Sequence, residues 1–263
     1  MTATPGVGKR PNTSGGANSV STERGRATRE LFKLEWDYPV WRGTEAPKSE
    51  GTSVKALRHA LPREEALRFL AGKDPRPLLV LRECSVCNTT DDALLSREAD
   101  NEKTLILARW FHCVKLPVDV VQPDHPFNAL FPNDDAEHLF VSAVDGSSKL
   151  PLESDTSRRE LWTSMTQVLG GAYVLDPNTA YKEVVRRLDR LETLAGRVDE
   201  LGLRKGELME KPKVDPDAVR KVAAELTDVK KQLDGERAEI ARLARLELKT
   251  GDAKTAAPAK VVR

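Results

Sequence analysis

Seven side chains in this 263-residue chain carry the most evident chemistry: three cysteines and four histidines. Cys84 and Cys87 stand two residues apart around Ser85 and Val86, directly after the apolar run Leu78-Leu79-Val80-Leu81. Two sulfurs at that spacing can bridge. One thiolate attacks a target disulfide and the other resolves the mixed disulfide that forms. By position Cys84 attacks and Cys87 resolves. The same spacing is also half of a zinc site, but zinc takes four ligands. No second Cys pair follows, so a metal site would need His138 together with Cys113, His112 or His125. A third reading keeps the pair without activity. Cys113 sits inside an apolar run and reads as a buried core thiol.

The surrounding charges set an expectation for the nucleophile. Asn88-Thr89-Thr90-Asp91 has the pattern of a helix cap followed by an acid. A helix starting there leaves both cysteines outside its N-terminal dipole. Glu83, Asp91 and Asp92 disfavour a neighbouring thiolate, and Arg82 is the adjacent base. Cys84 is therefore expected to be less acidic than an activated nucleophile.

The elements that must position these residues are readable in outline. A short helix spans Leu61–Gly72, with Pro62 near its start, acids in its first turn and Gly at its end. Arg76–Leu81 is a short apolar strand. A helical stretch runs from the cysteines to about Ala99. Leu105–Leu116 is apolar in both alternating sets and reads as one central strand covered on both faces. A Pro-rich connection from Pro117 to Asn133 leads to a strand at Leu139–Val144, a turn at Asp145–Ser148 and a short edge strand at Lys149–Leu152. Asp155–Glu160 opens a helix that Gly170-Gly171 should stop. This order of elements is that of a compact α/β unit.

From Pro75 to Gly171 the chain resembles the thioredoxin-like superfamily. The Cys84-Ser85-Val86-Cys87 motif after a strand, the Cys113–Asp119 stretch with its Lys115-Leu116 pair ahead of Asp119, and Phe140–Gly146 carry the resemblance. The second of these is similar to the family's second core strand. The third is similar to the hairpin strand that follows its cis-proline. The likeness is greatest to thioredoxin-like domains found inside larger bacterial proteins. It implies a central sheet flanked by helices and thiol–disulfide exchange through Cys84 and Cys87. The family usually has Trp before the first Cys and Gly-Pro between the pair; here Glu83, Ser85 and Val86 take those places. Leu78 stands where the family's buried acid falls, and His138 where the cis-proline falls. That placement would bring His138 within reach of the pair, giving the metal reading a Cys2His set.

Beyond the α/β unit, Tyr181, Val184, Leu188, Leu191, Leu194, Val198 and Leu201 recur at steps of three and four. The pattern restarts after Pro212 and Pro216 with Val219, Val222, Leu226, Val229, Leu233, Ile240 and Leu243, and Glu236 occupies the one seam position that is not apolar. Two such arms around a double-Pro break predict an antiparallel coiled-coil hairpin. Gly196, Gly202 and Gly206 weaken the end of the first arm. The expected organisation is a tail at 1–27, an α/β unit at 28–174, the hairpin at 177–249 and a second tail at 250–263.

Composition bounds the partners. Lys plus Arg total 42 against 41 Asp plus Glu, which argues against a general nucleic-acid binder or a polybasic membrane protein. No segment reaches the length of a membrane span, and the first residues lack the apolar core of a secretory signal. Three cysteines do not make a secreted disulfide framework, so a cytoplasmic location is expected. All four Trp and all six Phe fall between Phe32 and Trp162, and the core is expected there. The expected function is thiol–disulfide exchange on a protein client, without an organic cofactor. The coiled coil would serve self-association or docking to that client. The two alternatives are a non-catalytic scaffold and a Cys2His metal-binding protein.

Overall fold

A computed structural model describes Gly25, Thr28 and Leu95 together with residues 33–41, 59–83, 101–131, 137–152 and 156–249. Cys84, Cys87, the Asn88–Asp91 pattern and, apart from Leu95, the helical stretch to Ala99 lie outside the described residues. So do most of the two tails.

β1 (Leu78–Arg82) is the centre of the sheet, and all five of its residues are buried. β2 (His112–Leu116) pairs with it in parallel, from Leu78 opposite His112 to Arg82 opposite Leu116. β3 (Leu139–Ser142) lies antiparallel on its other side, and β4 (Leu150–Leu152) pairs antiparallel with β3. The order is β2-β1-β3-β4. Pro151, which has no N–H to offer, sits in the outer strand, where its missing donor costs the ladder least. On the opposite side Asp37 bridges to Val114: its N–H reaches the Cys113 carbonyl, and its own carbonyl accepts from Lys115 N–H.

Strand alternation divides the core in two. Leu78, Val80, Val114, Leu116 and Phe140 face a cluster with α1 (Arg63–Ala71) and the short 3-10 segments Val118–Val121 and Asn128–Leu130. Leu79, Leu81, Cys113, Leu139 and Val141 face the other cluster, which also contains α2 (Glu102–Ala108), α3 (Arg158–Ala172) and the hairpin. α1 follows its sequence signals closely: Pro62 precedes it, and Gly72, at φ 56°, closes it with an N–H to the Arg68 carbonyl.

The single central strand expected at Leu105–Leu116 does not form. Its first part is α2, and only His112–Leu116 is strand, at the edge of the four rather than their centre. Thr104 through Ala108 are five consecutive buried residues of one short helix, enclosed by the sheet, α3 and the hairpin. A helix covered all round keeps no polar face, so two-residue and 3.6-residue periods look alike over seven positions. The stop at Gly170-Gly171 also fails, since both lie within α3. The chain's return satisfies the end of that helix: Lys249 donates its main-chain N–H to the Ala172 carbonyl and its ammonium to the Gly170 carbonyl. At the start, Ser157 and Glu160 form a reciprocal capping box.

α4 (Pro177–Glu210) and α5 (Pro216–Leu243) make the antiparallel hairpin, each with Pro in its first turn and a capping Asp before it. The three glycines of α4 do not shorten it. Seam residues Ala180, Val184, Leu188 and Leu191 join Ile240 and Leu243 in the core shared with α2, whereas Leu201, Val222 and Val229 form a separate cluster farther out. Trp110 ties the two regions, its indole N–H donating to the Leu243 carbonyl at 2.9 Å while Tyr173 donates its hydroxyl to the Trp110 carbonyl at 2.7 Å. Gly25, expected in the tail, is tied to the hairpin as well: its N–H and the Thr28 hydroxyl both donate to one Glu192 carboxylate oxygen, each at 2.7 Å.

Candidate functional site

The end of β1 leads directly into the Cys84–Cys87 segment, and the described residues around that end are specific. Arg82 donates its main-chain N–H to the His138 carbonyl at 2.7 Å, and Glu83 donates its own to the Leu116 carbonyl at 2.8 Å. The chain is thus held on both sides up to the residue before Cys84: by β2 through Leu116, and by the approach to β3 through His138. This follows from β1 being central. A central strand has neighbours on both edges, and its last peptide groups find partners in each.

Side chains at this end carry three cations and two carboxylates in contact. Arg82 is buried, with its guanidinium 5.8 Å from the Phe131 ring centre. Lys115 meets the Glu83 carboxylate at 3.1 Å. Lys149 pairs with Glu137 and lies 4.5 Å from the Phe140 ring centre. The aromatic faces and the opposite charges together let these cations sit at a partly desolvated strand end. Glu83 therefore does not act as a bare negative charge beside Cys84, because Lys115 offsets it. Sequence adjacency showed only Arg82. The signal for Lys115 was its place as a single cation in an otherwise apolar strand, but its partner could be named only once the parallel register was known. Two of the three cations at this strand end are thus offset by carboxylates.

The structure separates the remaining candidates. Cys113 and His112 open β2, opposite Leu79 and Leu78 at the start of β1, about 10 and 13 Å of strand from the level of Arg82. Neither is brought to the strand end that carries Cys84. Cys113 is a core thiol, as expected: its Sγ–H points at the Ala108 carbonyl at 3.5 Å, and burial pushes its pKa up to about 12. His112 Nε2 lies 3.2 Å from the Asp37 carboxylate and holds the N-terminal segment against β2. Trp110, within the expected strand Leu105–Leu116, lies in the turn after α2. His125 is buried, and its Nδ1 accepts the Phe127 N–H at 3.2 Å, which commits that nitrogen. His138 is the one histidine whose main chain is shown at the critical strand end. Leu78 is wholly buried in β1. Among the described residues no three His, Cys, Asp or Glu side chains gather as a metal site.

A second polar group lies at the opposite end of the sheet. Arg76 forks onto Asp74 and donates to the Arg109 carbonyl at 3.1 Å. Burial works to raise the Asp74 carboxyl, but the hydrogen bonds from Arg76 outweigh it and hold the group below its usual range. The adjoining Tyr173 hydroxyl is pushed up by burial. Arg76 and Tyr173 thus both tie the turn after α2, through the Arg109 and Trp110 carbonyls.

Compared with known proteins, the chain matches no family model, no curated protein and no solved structure. What is shown is a mixed α/β unit with a four-stranded mixed sheet and two long C-terminal helices. No helix among the described residues is long and apolar enough to cross a membrane.

Proposed function

We propose that the chain is a thioredoxin-like thiol–disulfide oxidoreductase acting on a protein client through Cys84 and Cys87 in a reducing, cytoplasmic setting. The observation that supports this reading is the anchoring of Arg82 and Glu83 between Leu116 and His138, which holds the central strand on both sides up to the residue before Cys84. The parallel pair β1 and β2, followed by the antiparallel β3 and β4 and by α3, supports the resemblance. The places of Cys113–Leu116 in β2 and of Phe140 in β3 support it as well.

The reaction follows from the two thiols. The Cys84 thiolate attacks one sulfur of a client disulfide; that S–S bond breaks, a mixed disulfide forms and one client thiolate leaves. The Cys87 thiolate then attacks the Cys84 sulfur, the mixed disulfide breaks and the second client thiolate leaves. The client gains two electrons and, after protonation, two hydrogens. Cys84 and Cys87 end as a disulfide, which an external dithiol reduces again. Lys115 offsets the Glu83 charge that would otherwise oppose the attacking thiolate, and α4 and α5 offer a surface for holding the client.

Two further readings have an observation each. The His138 main chain beside Arg82 favours a Cys2His metal site. The reach of the hairpin beyond the α/β unit favours a scaffold. Insulin reduction with dithiothreitol as the reductant, run beside metal analysis of the purified chain, tests all three. Turnover that disappears in a Cys84→Ser/Cys87→Ser variant is the expected result. Bound metal that disappears in that variant overturns it in favour of the metal site, and equal, negligible turnover without metal overturns it in favour of the scaffold.

A further inference from the structure

The one acid in the hairpin seam is buried between two cations. Glu236 is 6% exposed. One of its carboxylate oxygens meets Arg187 Nη1 at 2.9 Å and the other meets Arg190 Nε at 2.9 Å. Arg187 is held in turn by Glu183, whose carboxyl the hydrogen bonds from Arg186 and Arg187 pull down to about 2. Leu233 and Ile240 flank Glu236 along α5, and both are buried. Taking a carboxylate out of water costs several kcal/mol unless its partners are well placed. Here the partners come from the other helix and are spaced three residues apart on one of its faces.

That requirement distinguishes α4 from a second α5. In a parallel pair of two α5 helices, seam positions meet their equals, and Glu236 faces the Glu236 of a second copy. In a fully overlapped antiparallel pair it faces the apolar Val222–Ala223 stretch of the second copy. Neither pairing supplies two arginines. The rest of the α5 seam is apolar and would accept any similar seam. We infer that Glu236, held by Arg187 and Arg190, selects α4 as the partner of α5 in a single register and keeps α5 from pairing with the α5 of a second copy of the chain. A polar seam residue that specifies a coiled-coil partner at some expense of stability acts in the same way.

Sedimentation velocity and helical circular dichroism on the full chain test this. The wild type sediments with one-chain mass at all concentrations. Glu236→Leu keeps its helicity and moves towards doubled mass as concentration rises. Glu236→Arg loses helical signal and melts earlier, because three cations then meet in the seam. Arg187→Glu/Arg190→Glu/Glu236→Arg, which reverses every charge of the group, regains both the helical signal and the one-chain mass. A Glu236→Leu chain of one-chain mass throughout overturns the inference. A wild type of doubled mass overturns it too, as does a reversed triple variant no better than Glu236→Arg.

Discussion

The α/β unit and the helical hairpin meet the same demand for burial with different means. In the unit each sheet face is covered by a continuous apolar cluster, and β1 has no exposed residue. Its polar contacts include side chains that end on main-chain carbonyls, Trp110 on Leu243, Tyr173 on Trp110 and Arg76 on Arg109, beside long-range ion pairs such as Lys115 with Glu83. The hairpin has a narrow seam, and beyond Leu191 that seam keeps only a small separate cluster. Its flanks are side-chain ion pairs, many between residues three apart on one helix. Surface pairs of that kind contribute little singly. The unit is thus held by packing that one substitution can damage, and the hairpin, outside the Glu236 group, by exposed pairs that each contribute little.

Substitutions can break that contrast. Phe140→Ala removes a wholly buried ring packed against Phe131 and beneath Lys149, and should cost about 3–5 kcal/mol in chemical denaturation. A cost near that of a surface change would end the comparison. Gly146→Ala comes next. Gly146 sits at φ 78°, and an added Cβ would run into the Leu67 side chain, so unfolding should be easier by about 1–3 kcal/mol. Trp110→Phe tests the joint between the regions. It leaves the Leu243 carbonyl without its indole donor and should cost about 1 kcal/mol, with hydrogen exchange rising first at the end of α5.

Titration sharpens the same contrast. The Cys113 thiol is raised from 9.0 to about 12 by burial, so the folded chain keeps a proton that the unfolded chain has lost. Stability contributed by this group is complete below pH 9 and declines from there towards 12. The slope is at most about 1.4 kcal/mol per pH unit. Cys113→Ala should flatten it, and iodoacetamide should label Cys113 only on unfolding. The smallest effect is expected on the hairpin surface, where Asp234→Asn removes an exposed pair with Arg237 and should move stability by less than about 0.5 kcal/mol.

Sequence patterns were informative where the structure keeps one polar side. α1, α3 and the hairpin each show a wet face or a capping group, and each was expected from Pro62 and Gly72, from Glu160, or from the heptad steps. α2 was misread because Thr104–Ala108 has no wet face at all. β2 is an edge strand whose apolar residues are nonetheless buried on both faces, Cys113 in one cluster and Val114 and Leu116 in the other, which is the pattern of a central strand. At the candidate site the Cys84–Cys87 spacing is local and could be seen directly. Lys115 beside Glu83 and Arg187 with Arg190 around Glu236 are pairings between residues 32 to 49 positions apart. No local pattern encodes them. Glu236 looked like a defect in the seam until its partners were known.

The return of the chain at the base of the hairpin has an architectural consequence. Val174 N–H bonds the Glu247 carbonyl, and Tyr173 bridges Leu248, so α4 departs and α5 arrives at one point beside the end of α3. In connectivity the two helices are an insert: a short turn could replace them without moving α3. In energy they are not separable, because Ala180, Val184, Leu188, Ile240 and Leu243 roof α2. Trimming the tip heptad by heptad should leave that roof in place, and excision at the base would uncover it.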